Sequence, residues 1–88
     1  VRPERVIFIY DHVKIFKEGQ VCIVNIENTS LSVNDEIFKE KNGKFEKAIL
    51  LEIHLNSKSL QTASEGEFGL KLSSKIERKS ILWKRITQ

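Results

Sequence analysis

The chain has 88 residues, of which 40% are hydrophobic and 31% are charged, and its formal net charge is +3. This length and balance predict one globular domain over residues 1–88 and exclude a disordered chain. No apolar run approaches the roughly 18 residues that a membrane-spanning helix needs, and a single cysteine excludes an internal disulfide. The lone thiol favours a reducing, cytoplasmic location.

The first half of the chain reads as strands separated by short turns. Residues 5–16 are rich in β-branched and aromatic side chains and predict one long strand, bent near Asp11 and His12. Residues 17–19 (Lys-Glu-Gly) predict a tight turn, and residues 20–27 the return strand of a hairpin. A polar loop follows at residues 28–30, and a short strand is expected at residues 36–39.

One stretch admits two interpretations. Residues 45–55 have apolar spacing and helix-forming residues that fit a helix, but alternate positions are also apolar, as in a half-buried strand. The Asn42-Gly43 pair before it is a strong hairpin signal, because both residues tolerate positive φ. We therefore expect a strand; a helix here would make the fold α+β.

The second half continues the pattern. Residues 57–64 are polar with room for a short strand at residues 60–62, residues 67–72 alternate cleanly, and residues 80–86 predict the last strand. Six or seven short strands indicate an all-β sandwich or barrel. A closed barrel is favoured because an open sheet rich in valine and isoleucine has edges that aggregate.

The residue types that carry catalysis are scarce. His12 and His54 are far apart and lack metal-ligand spacing, so no metal site is expected. Cys22 lies in an apolar run, which should raise its thiol pKa and leave it unreactive. Residues 66–69 lack the lysine and spacing of a phosphate-binding loop. We expect no enzyme activity and no cofactor.

Charge is unevenly distributed along the chain. Residues 1–70 carry nine Lys/Arg and eleven Asp/Glu, whereas residues 71–88 carry six Lys/Arg and one Glu. A basic C-terminal end could contact an anionic partner. The alternative is that these lysines and arginines form a solvent-exposed face without a partner. The predicted contact residues are Lys71, Lys75, Arg78, Lys79, Lys84 and Arg85. Phe68 and Trp83 would offer stacking faces beside them, but their apolar alternation favours the core for both.

Three motifs resemble the second domain of translation GTPases of the elongation factor Tu type. Residues 19–37 (GQVCIVNIENTSLSVNDEI) are similar to that family's glycine turn, valine-rich strand and L/V-x-V-G-D-x-I/V crossover. Residues 63–70 resemble its A-x-x-G-x-x-V-G-L strand, one residue shorter, and residues 76–83 its closing V-x-x-G-D-x-V-Y strand. In the crossover motif, Asn34 takes the position of the family's glycine, where a left-handed backbone is needed. In the closing-strand motif, Lys79-Ser80 take the positions of the family's Gly-Asp pair.

The resemblance implies a small six-stranded closed Greek-key β-barrel that acts as an accessory domain. In that family the barrel packs on a GTPase domain and helps to hold tRNA or the ribosome, so those are the implied partners. Glu18 stands where the family's first hairpin has an arginine near the aminoacyl end of tRNA, and a carboxylate repels an RNA end. Similar barrels also brace enzymes, including collagenase-like peptidases linked to tRNA modification. Because the chain contains no methionine, we expect it to be processed or part of a longer protein.

Overall fold

The computed structural model describes residues 4–16, 19–27 and 29–86, and within these ranges the protein is all-β, with no α-helix. The strands are β1 (Val6–Tyr10), β2 (Lys14–Phe16), β3 (Val21–Ile26), β4 (Leu31–Ser32), β5 (Glu36–Lys41), β6 (Lys44–Leu55), β7 (Lys58–Leu60), β8 (Thr62–Ala63), β9 (Gly66–Leu72) and β10 (Ile81–Arg85).

Eight of these strands form one antiparallel sheet that curls into a half-barrel. Its strand order is β1-β10-β5-β6-β9-β3-β2, and β7 pairs with β6 away from this path. The strands β4 and β8 form a separate two-stranded ladder, and β1 comes into contact with β3 as the sheet curls. The predicted all-β class is therefore confirmed at the level of a curled antiparallel sheet.

Residues 44–55 form a strand, as the hairpin signal predicted. β6 pairs with β5 in one direct register, from Glu36 opposite Ile49 to Lys41 opposite Lys44. The connecting residues Asn42 and Gly43 have φ values of +54° and +79°, which are the positive angles of a tight hairpin turn. Turn chemistry thus outweighs the helical spacing of this segment.

The bend predicted near Asp11 and His12 is confirmed, but it divides residues 5–16 into two strands instead of one long strand. The chain bends after Tyr10, and β1 and β2 pair with different neighbours, β10 and β3. β2 and β3 still form the expected hairpin, but Lys17 and Glu18 of its turn lie outside the described residues. The short strand expected at residues 60–62 is two strands, β7 and β8, on either side of Gln61.

The crossover between β4 and β5 has the geometry that its sequence predicts. Leu31 is fully buried, and Asn34 has a left-handed φ of +82°. The Asp35 carboxylate accepts a hydrogen bond from the Ser32 backbone N–H at 2.8 Å. Leu50 binds the crossover on both sides, because its N–H donates to the Asp35 carbonyl and its carbonyl accepts from Asn34. The turn is thereby fixed against β6.

The inner face of the curled sheet holds one hydrophobic core. Alternating residues of the strands point into it, including Leu31 of β4, together with Ile76 from the loop before β10. Phe68 belongs to this core, as predicted. The buried cluster consists of Ile9, Cys22, Val24, Ile26, Leu31, Ile37, Ala48, Leu50, Ile53, Ala63, Phe68, Leu70, Leu72, Ile76 and Leu82.

Candidate functional site

The loop between β9 and β10, residues 73–80, carries a concentrated positive charge at one end of the half-barrel. Lys75, Arg78 and Lys79 are all exposed, and none of them forms an ion pair with another described residue. Lys79 has a left-handed φ of +64°, so the loop turns sharply at that residue before entering β10. Three of the six predicted contact residues are therefore free to meet an anion.

Two further lysines reach the same end from the β5–β6 hairpin. Lys41 and Lys44 face each other across the Asn42-Gly43 turn. Lys44 is exposed, and Lys41 lies 2.9 Å from the Glu77 carboxylate in the loop. We call Lys41, Lys44, Lys75, Arg78 and Lys79 the basic rim.

A buried lysine holds the loop of the basic rim in place. The Lys39 side chain is only 6% exposed, and its ammonium donates to the Ser74 hydroxyl at 2.5 Å and to the Lys75 carbonyl at 2.6 Å. It also pairs with the Glu46 carboxylate at 2.5 Å. Its three N–H donors therefore have partners, and β5 is joined to β6 and to the loop through one side chain.

The opposite flank of the loop is anchored on a glycine. The Ile76 N–H donates to the Gly19 carbonyl at 2.8 Å, and the Ile76 side chain is buried in the core. Gly19 has a φ of +96°, and an added Cβ would lie only 2.7 Å from the Ile76 carbonyl oxygen. No other residue fits this backbone without movement, so the glycine sets how closely the loop approaches β3.

The lysines of the rim act on the acid that lies among them. The pKa of the exposed Glu77 carboxyl is lowered, first by its hydrogen bond with Lys41 and the charge of that lysine, and then by the charges of Lys39 and Lys75. The carboxylate is thus stabilised by three cations. Between the hairpin and the loop lies an open groove of about 490 Å³, and its lining residues are Lys39, Lys41, Asn42, Lys44, Glu46, Lys75, Glu77 and Ser80.

The other three predicted contact residues lie on strands and are already engaged by acids. Lys71 lies 3.6 Å from the Glu52 carboxylate. Lys84 donates to the Ser30 carbonyl at 2.6 Å and lies 3.4 Å from Asp35. These two cations are therefore held by ion pairs within the curled sheet.

Arg85 is held on the sheet in the same way. Its Nε donates to the Glu36 carboxylate at 2.6 Å, and its guanidinium lies 4.9 Å from the centre of the Phe38 ring. Arg85 is therefore part of the packing of the sheet. The structure thus places three of the six predicted residues at the rim and three on strands, where they pair with acids.

Sequence reasoning missed the contribution of the β5–β6 hairpin to the rim. The signal was present, because Lys41 and Lys44 flank the Asn42-Gly43 turn that was used to predict the hairpin. Their position beside the loop depends on the pairing of β5 with β10, which joins segments about forty residues apart. A contact between such distant segments is set by the tertiary fold, so local patterns do not reveal it.

Three aromatic side chains lie together on the outer face of the sheet, on the side opposite to the core. The prediction that Trp83 belongs to the core is wrong: it lies outside the buried cluster, and its indole N–H donates to Glu40 at 2.9 Å. Its ring packs edge-on against Phe8, with centroids 5.7 Å apart, and lies 6.3 Å from the ring of Phe45. We call Phe8, Phe45 and Trp83 the aromatic wall.

The two histidines lie in different parts of the fold. His12 pairs with the neighbouring Asp11 at 3.4 Å, and His54 with Glu52 at 2.7 Å. The hydrogen bond from His54, followed by the charge of Lys71, lowers the pKa of the Glu52 carboxyl. Among the described residues, no group of three or more His, Cys, Asp or Glu side chains is placed to hold a metal ion.

Cys22 is fully buried in the core, and this burial raises the pKa of its thiol to about 12. The thiolate is the reactive form of cysteine, so the folded chain keeps this group inert at neutral pH. The apolar run around Cys22 predicted the direction of this shift.

Comparison with known proteins does not assign the chain to a family. No family model matches it, and no curated protein matches it significantly. The described part of the chain contains no helix that is long and apolar enough to cross a membrane.

Proposed function

We propose that this chain is a non-catalytic accessory β-barrel that holds RNA by its phosphate backbone, with the basic rim as the contact surface. The observation that carries the proposal is the convergence of the 73–80 loop and the β5–β6 hairpin. Three loop cations there have no ion pair within the described ranges, and Lys44 adds a fourth exposed charge. Unpaired cations on a fixed backbone are what phosphate contacts require.

The kinship with the second domain of translation GTPases belongs to the same proposal, together with a closed six-stranded Greek-key barrel. Two backbone angles support it. Asn34 and Lys79 have φ values of +82° and +64°, and both stand where that family's Gly-Asp turns have glycine. Both turns are closed by the following residue: Asp35 accepts from Ser32, and the Ser80 hydroxyl donates to the Glu77 carbonyl at 2.7 Å.

Phosphate contacts of this kind bind RNA without reading its sequence. The groove beside the rim is open, and four of its eight described lining residues are lysines, against two glutamates. Such a surface suits tRNA or ribosomal RNA, held by shape and charge while a neighbouring domain supplies chemistry. A cytoplasmic location is part of this proposal.

The test compares charge reversals at the two ends of the half-barrel. Lys79→Glu removes a rim charge, and Lys58→Glu makes the same change at an exposed lysine on β7, at the far end of β6. Binding of tRNA is measured for both variants and the unmodified chain at about 50 and 200 mM salt. We expect Lys79→Glu to weaken binding and reduce the salt slope by about 1 unit, with Lys58→Glu close to the unmodified chain. No binding of tRNA at the lower salt would refute the proposal.

A second candidate is a purely structural or protein-interaction barrel that braces a neighbouring catalytic domain. The observation that favours it is the aromatic wall, where Phe8 keeps 44% of its surface exposed beside Trp83. Exposed apolar surface of this kind is typical of a docking face. This candidate predicts that charge reversal at Lys79 leaves the host protein's activity intact, whereas Phe8→Asp reduces it.

A further inference from the structure

The loop of the basic rim carries one acid, Glu77, among its cations. The Glu77 carboxylate lies 2.9 Å from the Lys41 ammonium, so the loop's own acid occupies one of the lysines that would meet RNA. The Glu77 side chain is 65% exposed and that of Lys41 is 39% exposed, so solvent and ligands reach both partners. Within the described ranges, Lys41 is the only cation of the rim that forms an ion pair.

The backbone of the loop holds Glu77 in place without help from its carboxylate. The Ser80 hydroxyl donates to the Glu77 carbonyl at 2.7 Å, and the Ser80 N–H donates to the same oxygen at 3.3 Å. The preceding residue, Ile76, is buried, and its N–H donates to the Gly19 carbonyl. The carboxylate can therefore leave Lys41 without unfolding the turn, because none of these contacts depends on it.

Glu77 occupies a position at which the chain stabilises a negative charge. The pKa of its carboxyl is lowered first by the hydrogen bond with Lys41 and the charge of that lysine, and then by the charges of Lys39 and Lys75. The same three lysines line the open groove between the hairpin and the loop. A carboxylate and a phosphate both accept charge-assisted hydrogen bonds from an ammonium group. A phosphate that enters this groove would therefore compete with Glu77 for Lys41.

We propose that the Glu77 carboxylate is a built-in competitor of the RNA phosphate at Lys41: it holds this lysine in the free chain and is displaced when RNA binds. The inference rests on the proposed function and adds control of affinity to the same site. An exposed ion pair is weak, so RNA that is anchored at the other rim cations can break it. A single small anion lacks those further contacts, so the ion pair favours a polyanion over it.

The experiment is a double-mutant cycle on the binding of tRNA at about 50 mM salt. Glu77→Gln removes the charge and keeps the shape of the side chain, and Lys41→Met removes the lysine that Glu77 holds. The third variant carries both changes. Glu65→Gln is the matched control, because it removes the charge of an exposed glutamate just before β9, at the end of that strand opposite to the loop. Thermal melting of each variant confirms that it is folded.

We expect Glu77→Gln to tighten tRNA binding by about 2- to 5-fold, the strength of one exposed ion pair, and Glu65→Gln to leave it unchanged. In the Lys41→Met background the gain should disappear, because no lysine is left for Glu77 to hold. An equal gain in that background would show repulsion at a distance without competition, and would refute the inference. If Glu77→Gln binds like the unmodified chain while Lys79→Glu weakens binding, the inference is refuted and the proposed function stands. If none of these chains binds tRNA, both fall.

Discussion

Lys39 is the residue on which the position of the basic rim depends most directly, and Lys39→Met tests its role. Methionine keeps a long unbranched side chain in the same place, so packing changes little. The substitution removes the hydrogen bonds to the Ser74 hydroxyl and the Lys75 carbonyl, together with the ion pair to Glu46. The effect on the free energy of unfolding therefore reports these polar contacts.

The magnitude follows from which contacts are buried. Glu46 is 71% exposed, so its ion pair contributes at most about 1 kcal/mol. Each hydrogen bond to a charged group contributes about 1.5–3 kcal/mol, but burying the Lys39 ammonium costs several kcal/mol, which offsets much of that gain. After the change, the Ser74 hydroxyl and the Lys75 carbonyl can form hydrogen bonds with water instead. We therefore expect the free energy of unfolding to fall by about 1–2 kcal/mol.

The assay is thermal unfolding followed by circular dichroism. For a chain of this size a loss of about 1–2 kcal/mol lowers the melting temperature by on the order of 5–15 °C. The control is Lys47→Met at an exposed lysine on β6, where a change within about 0.5 kcal/mol is expected. A Lys39→Met chain that melts at or above the unmodified temperature would show that desolvation outweighs the three contacts, and would contradict this account of the loop.

Three further outcomes are expected. Gly19→Ala should lower the free energy of unfolding by about 1–3 kcal/mol in a urea titration, because Gly19 has a φ of +96° and its new Cβ would lie 2.7 Å from the Ile76 carbonyl oxygen. An unchanged free energy of unfolding would mean that the loop is not anchored at Gly19. Lys79→Gly should weaken RNA binding, while the free energy of unfolding stays equal or rises by about 1 kcal/mol because glycine adopts the positive φ without strain. Asn34→Gly is the matched control: it also relieves a positive φ, but it should not affect RNA binding. Burial raises the thiol pKa of Cys22 from 9.0 to about 12, so at pH 9 the thiol should react with a thiol reagent only as fast as the protein opens. The stability that the protonated thiol contributes is intact below pH 9.0 and is lost as the pH rises towards 12. Fast labelling of the native chain would contradict the burial of Cys22.

Most of the strands were predictable because their signals are local. The Asn42-Gly43 turn decided between helix and strand for residues 45–55, since two positive φ values in succession suit a hairpin. Clean alternation placed Phe68 in the core for the same reason. The bend near Asp11 and His12 was expected, but the division into two strands was harder to predict, because β1 and β2 pair with strands β10 and β3 from opposite ends of the chain.

The site was only half predictable because clustering in sequence does not report pairing in space. Lys84 and Arg85 look like part of one basic segment with Arg78 and Lys79, but strand pairing places them beside acids of other segments. The same pairing turned Trp83 to the outer face. Composition therefore indicated a basic end of the chain, whereas the sheet register decided which of its cations remain available.

The most direct test of the account is to locate the RNA on the protein by amide chemical shifts. A chain of 88 residues suits this measurement, and a short uridine oligomer is added at low salt. The account predicts shifts concentrated in residues 41–44 and 74–79, with Lys58 and its β7 neighbours unaffected. Shifts centred on β7, or none in the 73–80 loop, would contradict the claim that the basic rim is the binding surface.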